Sequence, residues 1–508
     1  MRNTKLLLIN TAVLTAGGFL MRTIAVSFNV YLTNRIGASG MGLFQLIMAV
    51  YGLLITFASA GIKLGATRLV TDSLCKKEAD TKKTMGVCIR YALAAGCAVA
   101  GTAYLFSNLI CTKWIADVRA DYSLKILALS LPPIAVSAAL NGYFTARKTM
   151  VKYAGVQLAE QICKIAVTVF MLNVFSGKGL RYMCGAVAIG TTCSELVSCM
   201  LSFWLYLRDK KPANAKTKQK RILGSLLHIA VPDVMGSGMR SILLTVEHLL
   251  IPGGFKKSGQ STEEALSTYG TVHGMALPVI LYPAAVLTSL SSLIVPELAR
   301  YLALKKQDKI NKAADECIRI TTIFGFGTAV FMFTFSDYIS QAVYNSTESA
   351  FYIKLLSVLL PVMYLDTVVD GMLKGLDQQM ASMRYNIFDS GLCVILVYFL
   401  LPKYAVKGYI FILFISEIIN FSLSINRLMK VATLSVNPIR DFLKPAIASL
   451  GACATVNVII LKIIYGISPK FQLILAIIMF VTIYIPANFM LGSVERHEIK
   501  EFSSRIKG

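Results

Sequence analysis

Charge is scarce in this 508-residue chain: Asp, Glu, Lys and Arg make up 15% of it, where a soluble globular domain carries about 25%. No polar stretch is long enough to fold as a domain of its own, which argues against an extramembrane catalytic unit. There are only four His and two Trp, and no CxxC pair occurs. A structural zinc site and a disulfide framework therefore find no support. The eleven cysteines are an odd number. Most of them (Cys88, Cys97, Cys163, Cys184, Cys193, Cys199, Cys393, Cys453) sit inside apolar stretches and read as small packing groups. A Walker motif, a Gly-rich nucleotide loop, a metal-spaced His pair and a nucleophile elbow are all missing. The chain reads as a non-enzyme that binds no cofactor or metal. The first apolar stretch is long and carries Arg22 at its middle, so it does not read as a cleavable signal.

What the chain has in abundance is apolar surface. Apolar types reach 56% and mean hydropathy is +0.64. A span needs about 20 predominantly apolar residues, and the pattern predicts fourteen of them. They fall near 10–32, 42–62, 85–108, 123–144, 153–175, 182–207, 225–250, 269–295, 317–335, 351–373, 384–401, 405–426, 443–465 and 471–491. The fold class is an all-α polytopic membrane protein. Net charge is +24, with 51 Lys plus Arg. With the N-terminus placed in the cytoplasm, cytoplasmic segments hold 33 of those 51 and outer loops 11. That alternation follows the positive-inside bias and accounts for the basic balance without nucleic acid. It places both termini in the cytoplasm.

The chain also repeats itself. Gly18 to Ile24 matches Gly236 to Ile242 at an offset of 218, with Arg22 falling on Arg240. At an offset of 229, Asn141-Gly142 matches Asp370-Gly371, and Gln157 and Glu160 fall on Asn386 and Asp389. Six spans separate the copies, so both face the same way, as in transporters with parallel repeats. The reading is an N-lobe over 1–207, a basic cytoplasmic linker over 208–224, a C-lobe over 225–427, and two further spans with a cytoplasmic tail over 428–508.

Ionisable groups inside spans are costly and face a bundle interior or water. Arg22 and Arg240 occupy equivalent positions, and seven residues on come Asn29 and Glu247. Seven residues is nearly two turns, so each pair shares a helix face. Guanidinium suits a buried phosphate because it stays charged and binds in two-pronged fashion. The alternative is an Arg held by a carboxylate, such as Arg240 by Glu247. Lys63, Arg68 and Arg90 stand near the cytoplasmic mouth, either to receive an anionic head group or as ordinary interface anchors. Glu160 and Lys164 are spaced i, i+4 and can neutralise each other, with Gln157 and Gln161 widening that patch. Asp233, Asn386 and Asp389 supply oxygens suited to Na+ or, through a carboxyl group, to H+ as coupling ion. Asp233 follows Pro232, where a helix break would free carbonyls. Glu195, Asp366, Asp370 and Glu417 also lie in or near spans without an assigned face. Pro278, Pro283 and Pro296 predict a kinked span 8.

Several segments carry a resemblance. They are Thr15 to Ile24, Gly61 to Val70, Leu131-Pro132 through Asn141-Gly142-Tyr143-Phe144-Thr145-Ala146-Arg147, Gln157 with Glu160-Gln161, Gly274 to Pro278, and Val295 to Leu298. In that order and spacing they resemble the polysaccharide-transporter branch of the multidrug/oligosaccharidyl-lipid/polysaccharide exporter superfamily, and within it the stage V sporulation protein B group. The family's Arg before Gly-Tyr-Phe is Asn141 here, and its Gln-Gly is Thr145-Ala146. The resemblance implies two lobes with alternating access and transport of a polyprenyl-diphosphate-linked glycan, such as a peptidoglycan precursor, to the outer leaflet. By likeness to lipid II flippases, Arg22, Arg240 and Lys63 would hold diphosphate, and spans 13 and 14 the prenyl chain. A cation-coupled drug exporter, a polytopic glycosyltransferase and a wall or sporulation assembly protein are the alternatives. Short outer loops argue against the glycosyltransferase.

Overall fold

A computed structural model describes residues 2–75, 81–147, 149–209, 219–463 and 468–493; the side chains of 1–17, 19, 75, 150, 151, 219–221 and 461–463 are outside that description. Most of the basic linker, and the tail from 494, lie outside the described residues. Among the described residues all regular structure is helical. Nine helices are long and apolar enough to cross a membrane, or up to twelve when three bent pairs are each taken as one span. The chain is therefore a multi-pass membrane protein. Contacts divide it into two compact units: Met1–Gly270 with Val397–Lys403, and Thr271–Leu396 with Tyr404–Gly508.

The first unit holds α1 (Arg2–Ser59), α2 (Ile62–Cys75), α3 (Thr81–Leu105), α4 (Asp121–Ala128), α5 (Leu131–Ala146), α6 (Met150–Val174), α7 (Leu180–Arg208), α8 (Gln219–Lys257) and α9 (Thr262–Gly270). In α1 the backbone leaves helical geometry at Gly37, whose φ of 74° favours glycine. The α4–α5 pair bends by 44° ahead of Pro132. Here α2, α3, α5, α6, α7 and α8 enclose a core that includes Ile62, Met85, Leu140, Tyr143, Tyr153 and Leu226. Backbones come unusually close in it. A Cβ on Gly142 would meet the Lys63 carbonyl oxygen at 2.6 Å, and one on Gly61 the Ala230 Cα at 2.5 Å. Small residues permit this packing where lipid offers no hydrophobic drive between helices.

The second unit holds α10 (Leu277–Leu281), α11 (Ala284–Ala303), α12 (Gln307–Thr334), α13 (Ser336–Tyr344), α14 (Ala350–Ser357), α15 (Leu360–Gly375), most of α16 (Gln379–Val431), α17 (Lys444–Ile463) and α18 (Pro469–Met490). The expected kink in span 8 is present: the helices flanking Pro283 bend by 58°. Proline has no N–H to give, and the bend frees carbonyls. Tyr364 donates its hydroxyl to one of them, the Ile280 oxygen, at 2.9 Å. Tyr344 serves the Met275 oxygen in the same way at 2.9 Å. In α16 the irregular residue is Ala405, at a φ of 47°. Tyr484 of α18 reaches the Ile323 oxygen of α12 at 2.7 Å.

Candidate functional site

The polar residues of the first unit fall into three groups. On α8, Asp233, Ser237, Arg240 and Glu247 recur at steps that keep one helix face. Asp233, Ser237 and Arg240 are exposed, and Glu247 is half-buried. The opposite flank shows Val231, Met235, Met239, Ile242 and Val246, as a lipid-facing side does. The expected break at Pro232 is not there: α8 runs through it without interruption. Proline removes one backbone bond of the ladder, and neighbouring helices hold a spanning helix together across such a gap. The level of Arg240 along α1 is set by two contacts on the packed side. Thr56 Oγ1 donates to Ser241 Oγ at 3.2 Å, and Thr245 Oγ1 to the Ala49 oxygen at 3.2 Å.

Arg22 and Asn29 are both half-buried and share a face of α1 ahead of the Gly37 kink. Lys63 and Arg68 are exposed on α2, and Arg90 is exposed on α3 with Nε donating to the Gly86 oxygen at 3.1 Å. Thr67 ties α2 to α5 by donating to the Gly142 oxygen at 3.2 Å, which leaves the basic side chains of α2 facing outward.

The third group is centred on Glu160. Gln157 and Glu160 are half-buried on α6. Ser198 of α7 hydrogen-bonds Glu160, and Lys164 lies within Coulombic reach of both Glu160 and Glu195. The neutralising role expected of Lys164 toward Glu160 thus extends to Glu195, a residue the sequence left without a face. Tyr51 and Ser130 hydroxyls meet at 2.5 Å beneath this group.

Asn386 and Asp389 lie in the second unit, while Asp233 lies in the first. Asn386 donates to the Ser382 oxygen of its own helix at 2.9 Å. Asp389 accepts from Ser416 Oγ at 2.6 Å. Glu417 lies within Coulombic reach of Asp366 and Asp389, and Asn420 donates to Asp366 Oδ2 at 3.2 Å. Asp370 is held by Lys374 at 2.6 Å and by Ser382. Asp366, Glu417 and Asn420 therefore join Asp389 in a carboxylate-rich centre. A signal for them existed: Glu195 and Glu417 stand at an offset of 222, close to the repeat distance.

The family signature around Tyr143 has a structural use. Tyr143 donates to Asp209 Oδ2 at 2.8 Å, and Arg147 Nε lies 3.3 Å from the same oxygen. This latch fastens the end of α5 to the end of α7.

Two kinked or bent helical units with polar faces inside apolar spans define a transporter-type membrane fold. The polysaccharide biosynthesis protein family matches residues 7–296, more than half the chain, and the MatE family matches 259–400. The chain belongs to the polysaccharide biosynthesis protein family. Stage V sporulation protein B of Bacillus subtilis (strain 168) is 22% identical over 389 residues, 75% of each chain. Lipid II flippase MurJ of Bacillus subtilis (strain 168) is 24% identical over 191 residues, 34% of each. Among solved structures, lipid II flippase MurJ in an inward closed conformation matches with a TM-score of 0.72 at 16% identity, covering 94% of this chain and 98% of that one. An inward-facing multidrug resistance MATE family transporter of the MOP superfamily matches at 0.63 and 14% identity, over 81% and 95%. These likenesses establish the fold.

Proposed function

We propose that this protein is a flippase, moving a polyprenyl-diphosphate-linked glycan of the lipid II type from the inner to the outer leaflet by alternating access. The observation that carries the reading is the exposed guanidinium of Arg240 midway along a spanning helix, on a stripe with Asp233 and Glu247. A cation so placed is costly unless water or an anion meets it. Arg22 and Asn29 contribute the repeat-equivalent stripe on α1, and Lys63, Arg68 and Arg90 a basic approach. Membership in the polysaccharide biosynthesis protein family and the names of the relatives support the same substrate class. An inside-negative potential assists outward movement of the anion by about 2.3 kcal/mol per charge per 100 mV.

The proposal includes fourteen spans in two six-span lobes and an added pair. Splitting α1 at Gly37 and α16 at Ala405, and joining each bent pair, supports that number. It also includes cytoplasmic termini, on the positive-inside count. The coupling ion, Na+ or H+, is assigned to the centre of Asp389, Asp366 and Glu417, with Asn386 beside it. Asp233 is assigned to the α8 stripe as a cavity residue.

The test is binding of the purified protein to polyprenyl-diphosphate sugars, beside Arg22→Ala and Arg240→Ala, with a prenyl alcohol as control. Binding that both substitutions abolish, and that the alcohol does not reproduce, supports the reading. Binding indifferent to both arginines removes the proposed site, and preferential uptake of cationic dyes moves the function to drug export.

A further inference from the structure

The first unit contains a cavity of about 240 Å³. It lies where α3 has ended and α8 is ending, against the stretch of α16 that packs with this unit. Three lysines line it: Lys113, Lys256 and Lys257. Two aromatic side chains join them, Trp114 and Tyr398, and Lys257 Nζ stands over the Tyr398 ring at 5.4 Å from its centre. The acidic member of the lining, Asp117, is already held by Arg119 at 2.7 Å.

The surroundings fix the depth of this cavity in a bilayer. The segment leading into it exposes Leu105, Phe106 and Leu109 to the extent of 78%, 56% and 52%, more than a water-facing loop of a few residues would tolerate. On the other wall Phe399 is exposed beside Tyr398. Apolar side chains outside, Trp and Tyr at the rim and lysines within describe the membrane–water interface, where lipid phosphates reside. Ammonium groups bind phosphate as point charges without demanding a fixed fork geometry.

We infer that this cavity is a binding site for the phosphate ester of an anionic membrane lipid, seated by Lys113, Lys256 and Lys257 with its acyl chains lying along the exposed apolar rim. The size suits a phosphodiester and a glycerol and is too small for an oligosaccharide head group. Its test reads lipid binding and does not depend on the transport reading.

Trp114 reports on the cavity, because the chain has only one other Trp, Trp204. In a Trp204→Phe background, full-length protein is placed in phosphatidylcholine nanodiscs with rising phosphatidylglycerol, and Trp114 emission is followed. The expected result is a saturable change. Replacing the three lysines by Gln weakens it about a hundredfold, since each lysine near an anionic lipid surface contributes a factor of about five. Gly253→Leu adds a side chain to the lining at a position where a Cβ meets nothing within 4 Å. It leaves the lysines in place and still abolishes the response. A response equal in both variants, or linear in lipid fraction, overturns the site. The same saturable change produced by inorganic phosphate in pure phosphatidylcholine overturns the lipid assignment.

Discussion

Replacing Gly270 by Ala tests how the first unit is closed between α1 and α9. A Cβ at Gly270 would lie 2.0 Å from the Ala38 oxygen and 2.6 Å from the Gly42 nitrogen. A Cβ at Gly42 would lie 2.0 Å from the Leu266 oxygen. Ordinary contact begins at 3.4 Å, so the helices must part by about 1.4 Å at the crossing, by difference from that limit. Both obstacles are backbone, which cannot rotate away as a side-chain tip does. Overpacking of this kind costs about 1–3 kcal/mol. If transport releases this crossing, Gly270→Ala shifts the population toward the released state by about 5- to 150-fold, at tenfold per 1.4 kcal/mol. The assay is maleimide labelling of Ala265→Cys, a position with 0% exposure on α9, read beside a thermal melt. Faster labelling and a lower Tm are expected, with Gly253→Ala unchanged as control. A lowered Tm with unaltered labelling refutes release of the crossing, and no change in either refutes the packing argument itself.

Four further outcomes follow from the same reasoning. Asp209→Ala cuts the latch to Tyr143 and Arg147, and about 1–3 kcal/mol of stability should go with it; a melt indistinguishable from wild type would show the latch to be incidental. Tyr364→Phe strands the Ile280 carbonyl at the Pro283 bend and should lower the Tm by a similar amount, a prediction that fails if the Tm holds. Ala405→Gly relieves a φ of 47° and should stabilise by about 1 kcal/mol, read as a raised Tm. Arg240→Ala should weaken polyprenyl-diphosphate binding at least tenfold as a charge-assisted contact is lost; binding equal to wild type would contradict the assignment.

Hydropathy made the spans legible, because an apolar run long enough to cross lipid leaves few alternatives. It could not show that α1 turns at Gly37 or that α16 turns at Ala405, since both depend on single backbone torsions. The kink near Pro283 was readable from composition, whereas the break expected at Pro232 was not formed. Proline signals a lost hydrogen bond, and packing decides whether the helix gives way. The α8 stripe could be read from spacing alone. The Asp209 latch joins residues 62 and 66 positions apart, beyond any local pattern. Glu195, Asp366 and Glu417 were visible as intramembrane acids, but their faces depended on which helices pack against them.

The two polar centres differ in electrical character. At the repeat offset of 229, Lys164 of the first falls on Cys393 of the second. The first carries an amine on a four-carbon tether within Coulombic reach of Glu160 and Glu195. The other keeps its acids and has a small buried thiol in that place. Removing the Lys164 amine would leave the first centre with the acid-rich character of the second.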